Sequence, residues 1–150
     1  MYTTPIIAPI DKALIRAELT PDKLLRQTNK GGNELYVFHA LSAPHTMREI
    51  GRLREEAFRY YGGGTGRALD VDAFDEQPGG YRQLIVWSPR DRRILGGYRF
   101  RCGSEALSEG GTPQLATAAL VHFSERFIQE YLPYTVELGR TFVSLAYTDK

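Results

Sequence analysis

Between positions 44 and 61 apolar residues return every three or four places, at Met47, Ile50, Leu53, Ala57, Phe58 and Tyr61, with Arg48, Glu49, Arg52, Glu55, Glu56 and Arg59 between them. That period predicts an amphipathic helix with one face on a core. Ahead of it, Ile10, Leu14, Ile15 and Leu19 fall at helical spacing, and Thr20-Pro21-Asp22 supplies an N-cap, an N1 proline and a first-turn acid. Two short helices broken near Thr20 are expected, the second stopping at Lys30-Gly31-Gly32. Leu35-Tyr36-Val37-Phe38 then has the composition of a first strand.

After the long helix comes Gly62-Gly63-Gly64-Thr65-Gly66, then the acidic run Asp70-Val71-Asp72-Ala73-Phe74-Asp75 and a glycine pair at Gly79-Gly80. This stretch is expected to be irregular and mobile. Residues 81–87 and 93–102 are β-type runs joined by Ser88-Pro89-Arg90-Asp91-Arg92, a turn that makes them a hairpin. A short helix over 123–131 behind Ser124 and a strand over 135–146 follow. The order is helix, strand, helix, two strands, short helix, strand, with no internal repeat.

The 150 residues, with 19 Lys plus Arg against 18 Asp plus Glu, fit one globular domain or part of one. A net charge of +1 lacks the basic excess of a nucleic-acid binder, and seven Phe, nine Tyr and one Trp can fill a core. Cys102 is the single cysteine, so no intrachain disulfide or cysteine zinc site can form, and a cytoplasmic setting is the expectation. The first ten residues have no basic run and are interrupted by Pro5 and Pro9, unlike a cleaved leader.

His39, His45 and His122 lack zincin spacing, there is no Gly-x-Ser-x-Gly elbow, and the run at Gly62 lacks the Lys-Ser/Thr of a phosphate loop and follows a helix instead of preceding one. Asp70, Asp72 and Asp75 begin like a calcium loop, but Phe74 takes a ligand position and Tyr81 stands where the bidentate Glu belongs. These carboxylates are either a solvated loop or partners of buried arginines. Arg54 lies four residues before Phe58 at the margin of the helix's apolar face, and Arg99 sits between Tyr98 and Phe100 behind Gly96-Gly97. Glu137-Leu138-Gly139-Arg140 is the sharpest feature: in a regular strand Glu137 and Arg140 face opposite ways, and a bulge at Gly139 would put both on one face. Such a pair can hold a polar substrate or be a structural ion pair.

In order, Arg54-x-x-x-Phe58, Asp70-x-Asp72-Ala73-Phe74-Asp75, Tyr81 to Trp87, Gly96-Gly97-Tyr98-Arg99, Phe127 and Glu137-Leu138-Gly139-Arg140 resemble the N-terminal half of a GNAT-type acyltransferase. The likeness is to bacterial N-acyltransferases that form ornithine or glycine lipids and, more distantly, to acyl-homoserine lactone synthases. It covers about 35–143, with 1–34 as a helical lead-in. The resemblance implies an α/β (α+β) fold, a mostly antiparallel sheet flanked by helices. It implies amide formation between a small amino acid and a long acyl group, often a 3-hydroxylated one, from acyl carrier protein or acyl-CoA, with no permanently bound cofactor and no metal. By position Glu137, Arg140 and Arg99 would be catalytic, with Glu137 as base or water relay. Arg54, Asp72 and Asp75 would complete a substrate-orienting cluster, and Phe58, Trp87 and Phe127 would wall the acyl chain.

The resemblance also implies a donor-binding turn, helix and splayed strand after the strand carrying Glu137, so the chain reads as truncated after the fourth core strand. A fragment of a longer enzyme, a second chain supplying the rest, or a non-catalytic binding module would each account for that. The last strand is expected to be an exposed edge through which a homodimer pairs. Arg90, Arg92 and Arg93 on the hairpin turn could dock an acidic carrier protein, or form an ordinary solvated turn. Peripheral membrane contact is expected only if the product is a lipid.

Overall fold

The computed structural model describes residues 4–107 and 111–148. Met1 to Thr3, part of the segment read as no leader, and Asp149-Lys150, where truncation was expected, lie outside the described residues. The elements are α1 (Lys12–Glu18), β1 (Leu24–Gln27), β2 (Glu34–His39), α2 (Pro44–Tyr60), α3 (Ala73–Glu76), β3 (Arg82–Ser88), β4 (Arg93–Cys102) and β5 (Val136–Val143). The strands form one sheet in the order β1-β2-β3-β4-β5, every neighbouring pair antiparallel. This is the expected α/β arrangement.

The long helix forms as its periodicity demands. Met47, Ile50, Leu53 and Ala57 of α2 pack on Tyr36, Phe38, Ile85, Trp87, Ile94 and Phe142 of the sheet, with Ile15 and Leu19 from the α1 region closing the cluster. Each large apolar side chain buried here contributes about 1.5–3 kcal/mol. The described α-helices lie on this face. The residues that alternate with the core set, Leu35, Val37, Leu84, Val86, Tyr98 and Phe100, are half-buried on the other face, and Leu138 beside them is exposed.

Three local readings change. The second short helix after Thr20 is a single 3-10 turn, Pro21–Lys23, and the chain then runs straight into β1. The glycines read as a helix stop are a hairpin turn: Gly31 and Gly32 adopt φ of 83° and 62°, and Thr28 N–H bonds to Asn33 O across them. The region after α2 is pinned, because the buried Glu55 carboxylate accepts from Thr65 N–H, Thr65 Oγ1–H, Gly66 N–H and Arg59. The acidic run becomes α3, with Asp72 accepting from Phe74 N–H and Asp75 N–H, and Asp75 from Asp72 N–H, a reciprocal cap.

Near residue 127 the short helix widens into a π-turn, Phe127–Tyr131, with Ser124 Oγ accepting from Phe127 N–H as its cap-like position suggested. Ala106, Leu115 and Leu132 form a second small core there.

Candidate active site

Two close approaches assemble the site. Residues 69–71 cross α2 at Gly51, where Asp70 N–H bonds to Gly51 O at 2.9 Å and a Cβ would lie 2.6 Å from Val71. Only glycine lets the acidic run pass this close, and it delivers Asp70, Asp72 and Asp75 beside Arg54. On the facing strands, Arg99 pairs with Gly139 and Gly97 with Phe142, so Arg140 and Thr141 together oppose Tyr98. This is a β-bulge, and Arg140 carries its turn at φ 53°. The bulge foreseen at Gly139 therefore falls one residue on, at a side chain for which left-handed backbone costs about 1–2 kcal/mol. It has the foreseen effect: Glu137 and Arg140 line one cleft.

Three arginines and three aspartates alternate from core to cleft. Arg54, fully buried, reaches both Asp75 oxygens at 3.1 and 3.2 Å and Gln83 Oε1 at 2.6 Å. Arg99 bridges Asp75 at 3.1 Å and Asp72 at 2.6 Å. Arg140 follows, 3.0 Å from Asp70 and 3.5 Å from Asp72. Its side chain is 33% exposed, against 4% for Arg99 and 0% for Arg54. Arg54 was read at the margin of the apolar face and lies wholly inside, because Asp75 and Gln83 satisfy it there.

Burial pushes the Asp70 carboxyl up despite the charges of Arg140 and Arg54. Burial also opposes the charge of Asp72, but the hydrogen bond and charge of Arg99, with Arg140, outweigh it and hold Asp72 below the usual carboxylate range. Arg54 is lowered by desolvation. Arg99 is raised, since Asp72 and Asp75 overcome the same penalty. The row is a set of mutually dependent charges.

The cleft, about 330 Å³, is lined on one side by Asp72, Arg99, Glu137, Gly139 and Arg140, and its apolar surface comes from Phe74, Ala116, Ala119, Leu120 and Leu138. Phe58, Trp87 and Phe127 are not brought to it. Trp87 is 1% exposed in the main core and Phe58 packs against that core, whereas Phe127 stacks between Phe123 and Tyr131 in the second one. Arg90, Arg92 and Arg93 are exposed at the β3–β4 turn, away from the cleft lining.

Sequence reading missed Tyr81. Its hydroxyl donates to Glu137 Oε2 and accepts from Ala116 N–H at 2.8 Å, while Phe74 meets its ring edge-on and Arg99 lies 4.9 Å over it. Gln83 and Thr117 were likewise outside the candidate set. Nothing local marks them, since their partners Arg54 and Glu137 lie 29 and 20 residues away. Among the described residues no cluster of His, Cys, Asp and Glu could hold a metal, and no helix is long and apolar enough to cross a membrane.

Comparison with known proteins shows the family. Residues 53–150 match the acetyltransferase (GNAT) domain family. A glycine N(alpha)-acyltransferase of Phocaeicola vulgatus is 57% identical over 143 residues, covering 95% of this chain and 44% of the relative. One of the same name from Bacteroides thetaiotaomicron is 54% identical over 143 residues, covering 95% of this chain and 42% of the relative. The chain thus spans less than half the length of these curated relatives. No solved structure gives a significant match.

Proposed function

Because the chain belongs to the acetyltransferase (GNAT) domain family, we propose that its cleft binds the amino substrate of an amino-acid N-acyltransferase, with glycine as the first candidate. The observation that carries this reading is the bulge, which sets an acid, Glu137, and a partly exposed guanidinium, Arg140, on one small cleft. An α-amino acid is a cation and an anion separated by one carbon, and these two groups match its two ends.

In the reaction the amine must attack a thioester carbonyl in its neutral form. Arg140 fixes the carboxylate, and Glu137 removes a proton from the nitrogen, directly or through a water, as the C–N bond forms. The C–S bond then breaks and the leaving thiolate takes up a proton. The Arg54-Asp75-Arg99-Asp72 row, buried at Arg54 and Asp75 and reaching the cleft wall at Arg99 and Asp72, holds Arg140 and the sheet in place. Leu120, 84% exposed at the cleft, offers an apolar margin for the acyl chain. The donor we propose is a long-chain, 3-hydroxylated acyl thioester of carrier protein or CoA, forming an N-acyl amino acid of lipid type. Arg90, Arg92 and Arg93 then offer a basic surface to an acidic carrier.

The test is to incubate the longest polypeptide of this reading frame with 3-hydroxyacyl carrier protein or acyl-CoA and a panel of amino acids, detecting products by mass spectrometry. N-acylglycine supports the reading. Absence of any amide, with folded protein and a verified donor, overturns it.

A further inference from the structure

The segment that closes one side of the cleft is fastened to the candidate base itself. None of residues 116–120 is buried, and Leu120 is 84% exposed. Leu115, just before them, is anchored in the second core. Hydrophobic contact therefore fixes the root of this strap and leaves its tip to polar bonds. Ala118 N–H to Leu115 O and Leu120 N–H to Thr117 O stay within the strap, and the bonds described from it to the sheet end on two side chains. Ala116 N–H donates to Tyr81 Oη, and Thr117 donates to Glu137 Oε1 with both its N–H, at 2.9 Å, and its Oγ1–H.

The two oxygens of Glu137 are thus held unequally. Oε2 takes the hydroxyl of Tyr81, a ring that is 1% exposed and clamped by Phe74 and Arg99. Oε1 takes only Thr117, on an unburied strap. Two donors fill the two lone pairs of Oε1, so an amine can reach that oxygen only by displacing them. An ammonium or amine brings replacement donors, and the exchange conserves hydrogen bonds.

We propose that Thr117 occupies, in the free protein, the place on Glu137 Oε1 that the substrate's amine takes, and that Tyr81 holds Oε2 throughout as a positioning residue. Amino-acid binding then exchanges strap for substrate, and Glu137 becomes available as a base only when an amine has arrived. This rests on the amino-acid reading above.

The test follows amide hydrogen exchange at Ala116 and Thr117 with and without glycine, alongside acyl-transfer kinetics, in the wild type, Thr117→Val and Thr117→Ser. Glycine should speed exchange at these two amides in the wild type. Thr117→Val should show the faster exchange without glycine and lower the KM for glycine by about three- to tenfold, the worth of one hydrogen bond. Thr117→Ser, which keeps the hydroxyl, should behave as wild type. Exchange at 116 and 117 that glycine leaves unchanged or slows, or a raised KM in Thr117→Val, would overturn the proposal. If the wild type forms no amide at all, the acyltransferase reading fails, and the exchange response to glycine alone decides the strap.

Discussion

Arg99 shows how a residue's surroundings decide its role. A strand arginine alternating toward solvent would be unremarked, but here it lies on the same face as Gln83 and faces two aspartates, with Tyr81 and Phe74 rings against its guanidinium. Arg99→Ala leaves Asp72 and Asp75 without that partner in a buried setting. The expected cost is about 3–5 kcal/mol, read as a lower urea midpoint with a substantially unchanged m-value. A loss below 1 kcal/mol would mean that the row is not mutually dependent. At this scale the sequence was informative where chemistry is adjacent: Glu137 and Arg140 were legible from a three-residue spacing and a glycine. Tyr81 was not, because its meaning comes from Glu137, 56 residues away.

At the scale of elements, the long helix and the β3–β4 hairpin were legible because many residues vote for each. β1 was not, since all four of its residues are exposed and it exists only by pairing with β2. The glycine run after α2 misled in the other direction: its composition suggests freedom, and one carboxylate removes it. Glu55 has its carboxyl lowered from 4.5 to about 2; burial works against this, and the hydrogen bonds of Thr65, Arg59 and Gly66 overcome it. With the folded value depressed below the unfolded one, its contribution, on the order of 3 kcal/mol, is fully present above about pH 4.5 and is lost as pH falls toward 2. Wild type should therefore exceed Glu55→Gln in stability by the largest margin at neutral pH, with the gap closing through that acid window. Denaturation curves from pH 7 to 2 check this, and a constant gap would contradict it.

For the whole molecule, the described α-helices lie on one face of the sheet, leaving an apolar second face and β5 as an edge whose Val136, Leu138 and Val143 are about half exposed or more. Such a surface is a template for association. The isolated 150-residue chain is expected to dimerise with rising concentration in analytical ultracentrifugation, and a monomer at every concentration would contradict this. In the proposed function the bulge presents Glu137 and Arg140 to the two ends of one amino acid. That pairing is tested most directly by comparing kcat/KM for glycine and glycinamide, the same amine without the carboxylate, in wild type and Arg140→Asn, since asparagine tolerates the left-handed backbone. A preference for glycine of about 10- to 100-fold, the worth of a charged hydrogen bond, is expected in the wild type, collapsing toward equality in the variant. Equal use of both amines by the wild type, or a preference that survives in Arg140→Asn, would contradict it.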